Sequence, residues 1–289
     1  MNLSVLKRPK KMKSMTIRPD LHMHSTFSDG VLTPQLLVEK AASMGVTAMA
    51  LTDHDSFEGS DVLRKTYTAI PVIPGVELSL RDMSSLHLLG YGVTDAPELR
   101  ERVAALAHMR QKRAREMVAR LEQLGMPLDW DAMTTGYSGT LGRAHVARAM
   151  VAQGYAATNQ EAFDKYLGEG RPAYVPGERL SMAEALPLLR RSGFVPVLAH
   201  PALLKKDDLT LRVLLSHWKE QGLMGVEAYH PSQMARPGIY DTMARSLDLL
   251  VTGGSDYHKD NDNHGVPGSI CDSWQSAGED LRRLMDALD

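Results

Sequence analysis

An α/β fold built on a parallel sheet, either open or closed into a barrel, is predicted from three observations. Short apolar runs alternate with helical patterns along most of the chain, and no internal repeat, low-complexity tract or long linker interrupts them. The 289 residues, 43% apolar and 24% charged, have an ordinary globular composition with room for a large core. That length allows two domains, although single barrels of about 250 residues are common.

In chain order, residues 1–15 carry Lys7, Arg8, Lys10, Lys11 and Lys13 without an apolar stretch, and are expected to form a disordered basic extension. Strands are then expected to end near His24, Thr52, Glu77, Val93, His200, His230 and Ser255. Helices are expected near 34–44, 57–69, 181–192, 210–221 and 233–247, the first opened by Thr33-Pro34, a helix-start signal. The interval 95–178 breaks the alternation. Glu98 to Leu124 reads as one long helix, with Leu99, Val103, Leu106, Met109, Met117, Leu121 and Leu124 at helical spacing, and more helical pieces follow. This interval, 95–178, is expected to be an inserted helical subdomain, leaving 16–94 and 179–289 to the barrel or sheet. Arg110, Lys112, Arg113, Arg115 and Arg120 mix with Glu101, Glu116 and Glu122 and are expected on a solvated face of the long helix.

The single cysteine, Cys271, excludes an intrachain disulfide and any cysteine-rich zinc module and fits a reducing compartment. No apolar run approaches the roughly 18 residues of a membrane span, so a cytoplasmic location without a membrane partner is expected. With 33 basic against 35 acidic side chains, binding of duplex nucleic acid through bulk electrostatics is not expected. A small nucleotide or a short RNA remains open as substrate, and nothing points to a protein partner.

Histidine carries the chemistry: there are 11, most of them beside acidic residues. Asp20-Leu21-His22-Met23-His24, Thr52-Asp53-His54-Asp55, Gly75-Val76-Glu77, Leu198-Ala199-His200-Pro201 and Gly254-Ser255-Asp256-Tyr257-His258 all fall at C-terminal ends of expected strands, where parallel α/β folds build active sites. The two-residue strand period turns both side chains of each H-x-H or D-x-H unit to one side, and Tyr257 to the other. Each histidine alone could merely cap its strand; five strand ends together imply a multinuclear site. Imidazole and carboxylate without thiolate suit Mn²⁺, Zn²⁺ or Fe²⁺, and Glu77 can bridge two ions.

The ordered set D-L-H-M-H-S at 20–25, S-D-G at 28–30, L-T-D-H-D at 51–55, G-V-E at 75–77, A-H-P at 199–201 and G-S-D-Y-H at 254–258 resembles the PHP (polymerase and histidinol phosphatase) family. The resemblance implies a distorted seven-stranded β/α barrel holding two or three divalent ions, most often Mn²⁺, that hydrolyses phosphate esters. It also implies His22, His24, Asp29, His54, Glu77, His200, Asp256 and His258 as metal ligands, with Glu77 bridging. His87 is a further ligand or else a buried strand histidine. Asp29 stands where many histidinol phosphatases carry histidine, which keeps a ligand and leaves the third ion open. Asp53 and Asp55 are expected to orient His54 or cap the following helix.

Within the family, G-R-A-H-V-A-R at 142–148, G-R-P-A-Y-V-P at 170–176 and E-A-Y-H-P-S at 227–232 resemble the branch of nucleoside 3′,5′-bisphosphate phosphatases and 5′-to-3′ exoribonucleases. That branch implies Arg143, His145 and His230 on substrate phosphate, and with them a substrate-binding role for the inserted subdomain 95–178 beside a metal-binding barrel of 16–94 and 179–289. A guanidinium fork also matches phosphate oxygens on its own chemistry. Ser28 is expected either to touch phosphate or to cap the Asp29-Gly30 turn. Arg148 and Arg171 are expected in surface ion pairs, His108 and His217 as structural or surface residues, and His264 fits no motif.

The expected reaction is attack of a metal-activated water on phosphorus, with Arg143 on the equatorial oxygens, His145 or His230 protonating the departing oxygen, and Asp256 as ligand or general base. Removal of the 3′-phosphate from a nucleoside 3′,5′-bisphosphate is the first reading. An exoribonuclease acting on short 5′-phosphorylated RNA is the alternative, with an idle module and a C–N amidohydrolase as outlying readings.

Overall fold

The computed structural model describes residues 16–289 except 67, 84, 93, 94, 138, 140, 237 and 261–263. The basic extension 1–15 and the expected strand end at Val93 therefore lie outside the described residues. Seven strands, β1 (Pro19–Asp20), β2 (Ala48–Leu51), β3 (Val72–Ser79), β4 (His87–Tyr91), β5 (Val195–Leu198), β6 (Gly225–Tyr229) and β7 (Leu250–Gly253), hydrogen-bond in sequence order. The two edges approach each other where Leu21 N donates to Gly253 O at 3.0 Å and Met23 bridges Tyr257, making a nearly closed barrel. β2 and β5 are buried at every residue, as expected of strands covered on both faces.

The expectation of a parallel sheet fails at β4, which runs antiparallel to both neighbours. The connection from Ser79 to His87 is too short for a crossover helix and turns back on itself, with Leu80 N donating to Leu86 O at 2.9 Å. The reversal pairs the start of β4 with the end of β3, Ser79 opposite His87, so His87 arrives at the end of the barrel where the parallel strands finish.

α1 (Pro34–Ser43) opens under Thr33, whose hydroxyl accepts from Leu36 N, and α2 (Glu58–Arg64) follows β2. α3 (Pro97–Gln123) is the long helix, followed by α4 (Trp130–Thr134), α5 (Arg143–Ala152) and α6 (Asn159–Ala162). α7 (Met182–Arg191) starts in a reciprocal Ser181/Glu184 capping box, and α8 (Asp208–Glu220) is capped by Asp207. α9 (Ile239–Ser246) begins later than its apolar pattern suggests, because Gly238 sits at φ 87 and a short 3₁₀ turn occupies Pro231–Gln233. α10 (Ala277–Leu288), not expected from the sequence, closes the chain. No described helix is long and apolar enough to cross a membrane.

α3 does not respect the boundary expected at residue 95. Leu99, Val103 and Leu106 pack into the barrel core, whereas Ala114, Met117 and Leu121 join a second core with Leu128, Val146, Ala147, Met150 and Leu167. One helix thus belongs to both bodies. Leu124, expected on the packed stripe, is instead exposed at the C-cap.

Candidate active site

His22 and His24 follow β1 and point their Nε2 atoms at each other across 3.2 Å. Both nitrogens lie 3.3 Å from Glu77 Oε2, and 3.3 and 3.1 Å from Asp256 Oδ1. Glu77 Oε2 also meets His54 Nδ1 at 3.0 Å, while its other oxygen meets His87 Nδ1 at 2.8 Å and His200 Nε2 at 3.0 Å. The two oxygens of one carboxylate therefore face different sets of imidazoles, so Glu77 would be able to serve two cation sites at once. Asp29 Oδ1 lies 3.1 Å from His258 Nε2, with His54 Nε2 at 4.0 Å from Oδ2. All nine expected ligand side chains converge here.

Glu77 Oε2, Asp29 Oδ1, His54 Nδ1 and His200 Nδ1 are buried without a hydrogen bond. Of these, Glu77 Oε2, Asp29 Oδ1 and His54 Nδ1 lie in the cluster, where a cation would satisfy them, and the nitrogen and oxygen donors suit Mn²⁺, Fe²⁺ or Zn²⁺. His22, His24, Glu77 and Asp256 form one ligand group, His54, Glu77 and His87 a second, and His24, Asp29, His54 and His258 a third. The electrostatics agree. Burial alone would raise the Glu77 carboxyl, yet the His54, His87 and His22 imidazoles hold it well below its usual range. Burial alone would lower His24, yet Asp256 and Glu77 lift it to about 10, the signature of a concentrated negative field awaiting a cation.

The backbone is strained at the same end: Asp55, His200 and Asp256 adopt φ of 46, 27 and 52°. Gly254 lets the last strand end approach the first, because a Cβ there would stand 2.2 Å from His22 Cβ. Gly254→Ala is expected to cost about 2 kcal/mol or more of stability and to weaken divalent-ion binding together. Thermal unfolding and metal titration of the variant check this; a wild-type profile in both would refute the close approach.

Beside these side chains lies a cavity of about 130 Å³ whose lining includes Asp29, His54 and His87 together with Arg110, Arg113, Arg143, Arg179 and His145. Arg110 donates to Ser79 Oγ at 2.6 Å and pairs with Asp55. Arg113 donates to Val175 O at 2.6 Å, Arg179 to Leu80 O at 3.3 Å, and Arg143 lies over the Phe163 ring at 5.5 Å. Burial and neighbouring guanidinium groups push Arg113 down to about 9 and Arg179 to about 10. Four cations crowded in this way disfavour one another until an anion joins them.

His145 is set by its own helix start. Gly142 N donates to its Nδ1 at 3.1 Å, so the proton of the neutral ring sits on Nε2, which is buried without a hydrogen-bond partner. Burial, assisted by Arg148 and Arg110, pushes His145 down to about 4, so the ring is a neutral donor at pH 7. The unfolded imidazole takes its proton near 6.5 and the folded one only near 4; stability is therefore expected to fall as pH drops through that window. In His145→Gln, urea unfolding across this window should show a shallower pH slope, and an unchanged slope would contradict the shift.

Residues 20–169 match the PHP domain. The chain belongs to the PHP family. It is 34% identical over 249 residues to the 5'-3' exoribonuclease Rnm of Salmonella typhimurium, covering 83% of this chain and 85% of the relative. It is 30% identical over 246 residues to the 3',5'-nucleoside bisphosphate phosphatase of Chromobacterium violaceum, covering 83% and 86%. A metal-dependent phosphoesterase structure from Bifidobacterium adolescentis superposes with a TM-score of 0.76 at 28% identity, covering 95% of this chain and 98% of that one. The protein is a PHP metal-dependent phosphoesterase.

Several expectations for this PHP site need correction. Arg110 and Arg113 are not on the solvated face, where Lys112, Arg115 and Arg120 do lie. They continue the buried stripe, since 106, 110, 113 and 117 recur at helical spacing, and that signal was available in the sequence. His230 does not line the arginine cavity: its Nδ1 accepts from Ser232 N at 3.1 Å, leaving Nε2–H to meet Asp256 Oδ2 at 3.3 Å. The Ser28 hydroxyl is committed to Asp53 Oδ1 at 2.6 Å rather than free for phosphate. Asp53 also accepts from Ser25 N and Ser25 Oγ, both at 2.7 Å, so it fixes the metal-ligand loop rather than His54. Asp55 serves Arg110.

Arg148, expected at the surface, reaches the Asp29 carbonyl and the Tyr137 hydroxyl. Arg171, His108 and His217 are exposed, and Tyr257 points away into the apolar cluster with Met23 and Met49. Arg179, Glu227 and His264 were missed. Glu227 meets His22 Nδ1 at 3.0 Å, and His264 Nδ1 lies 2.9 Å from Asp256 Oδ2. Glu227 was visible as a charge inside an apolar strand run; nothing local marks His264.

Proposed function

We propose that this phosphoesterase removes the 3′-phosphate from nucleoside 3′,5′-bisphosphates, leaving the nucleoside 5′-monophosphate. The observation that carries the reading is the shared cavity, lined by candidate metal ligands together with four arginines and His145. A ligand that satisfies both sets bears more than one anionic group, as a nucleoside bisphosphate does, and the name of the 30%-identical phosphatase relative supports that chemistry.

His22, His24, Asp29, His54, Glu77, His87, His200, Asp256 and His258 would hold the divalent ions, which when bound would lower the pKa of water and neutralise charge on the phosphoryl oxygens. Asp256 acts as a ligand rather than a free base, because His230 and His264 occupy its Oδ2 and leave Oδ1 towards His22 and His24. Arg143 and its neighbours hold the second phosphate, and His145 donates Nε2–H to a phosphate oxygen as a neutral group rather than as the acid for the leaving oxygen.

The exoribonuclease reading uses the same residues and is favoured by the 34%-identical relative of that name. Mn²⁺-loaded protein supplied in parallel with adenosine 3′,5′-bisphosphate and a short 5′-phosphorylated RNA separates the two. Phosphate and AMP from the former with intact RNA support the phosphatase. Mononucleotides from the RNA overturn it in favour of the exonuclease, and silence on both overturns both.

A further inference from the structure

We propose that Glu227 is a positioning residue that locks two of the candidate metal ligands, His22 through its tautomer and His200 through its backbone. The inference rests on the metal-site reading above. Glu227 lies on β6, is fully buried, and is absent from the lining of the arginine cavity, so it acts through other residues. Its Oε1 accepts from His22 Nδ1 at 3.0 Å and its Oε2 from His200 N–H at 2.7 Å.

The first bond keeps a proton on His22 Nδ1, so that a cation would take the place of the proton on Nε2, which faces His24 Nε2 at 3.2 Å and Glu77 Oε2 at 3.3 Å. The second bond holds the amide of a residue at φ 27°, a conformation that a non-glycine residue keeps only when its surroundings enforce it. His22 belongs to the group around Asp256, whereas His200 faces the other oxygen of Glu77. The main chain of Glu227 is held in turn, its carbonyl accepting from Gln233 Nε2 at 3.1 Å just before the register shift between Glu227 and Tyr229. Both carboxylate oxygens are thus consumed in orienting ligands, a role carboxylates commonly play behind metal-bound imidazoles.

An isosteric amide exposes this role. In Glu227→Gln the backbone N–H of His200 cannot change, so the amide oxygen must stay opposite it and the NH₂ must face His22 Nδ1. His22 can then avoid two opposed N–H groups only by moving its proton to Nε2, where it occupies the lone pair meant for the ion. The variant is therefore expected to bind the divalent ion held by His22 at least about 10-fold more weakly. Mn²⁺ titration with metal analysis after dialysis reads the affinity. In protein supplied with the diamagnetic ion Zn²⁺, ¹⁵N-resolved imidazole spectra should show His22 as the Nδ1–H form in the wild type and moved away from it in the variant, while the metal-free variant still unfolds cooperatively.

Unchanged affinity, or a His22 that stays Nδ1–H, would overturn the proposal. A metal-free variant that has lost cooperative unfolding would overturn it as well, by placing Glu227 in the fold instead. Wild-type protein that binds no divalent ion would overturn the metal-site reading itself, a result distinct from failure of the variant alone.

Discussion

Glu77→Gln is expected to lower kcat/KM by on the order of 10³ or more, about 4 kcal/mol of transition-state stabilisation. The two oxygens of Glu77 face different imidazoles, His54 with His22 and His24 on one side and His87 with His200 on the other. An amide can present an acceptor to only one side, so an N–H must point into the other ligand group. Metal analysis of the purified variant should show at least one tightly bound ion lost per chain, while the metal-free protein keeps its fold because the shape is unchanged. A variant with a near-wild-type rate and a full metal complement would remove Glu77 from the bridge.

Arg143→Ala is expected to cost about 3 kcal/mol, or roughly 10²-fold, in kcat/KM for adenosine 3′,5′-bisphosphate. It should cost far less for a substrate carrying only the phosphate that is cleaved. The difference between the two substrates is the measurement, because loss of the general fold would lower both alike. Arg143→Lys keeps the charge but not the planar fork, and should fall between them. Removing one of four crowded cations also relieves repulsion on Arg110 and Arg113, so the melting temperature of the ligand-free variant is not expected to fall. Equal losses on both substrates would take Arg143 out of second-phosphate binding.

The convergence of these side chains was readable in the sequence because strand geometry is local: a two-residue period at a strand end fixes where His22 and His24, or Asp256 and His258, must point. His87 needed one further fact, the reversal of β4, which depends on the length of the connection after Ser79 rather than on apolar pattern. The arginine wall was harder. Arg113 and Arg179 are far apart in the chain and meet only through packing, and a guanidinium looks alike in sequence whether it faces water or a cavity. Glu227, Asp53 and His264 act on neighbours brought together by the barrel, so their roles follow from tertiary contacts that no spacing rule encodes.

The long helix α3 gives the enzyme a means of changing its clientele. Its 27 residues make a rod of about 40 Å, rooted at one end in the barrel core and at the other in the second core, with Arg110 and Arg113 near its midpoint. Because Met117 and Met150 share the second core while Arg110 and Arg113 line the cavity, apolar substitutions in that core act on the part of α3 that carries the guanidinium groups and leave the imidazoles of the barrel untouched.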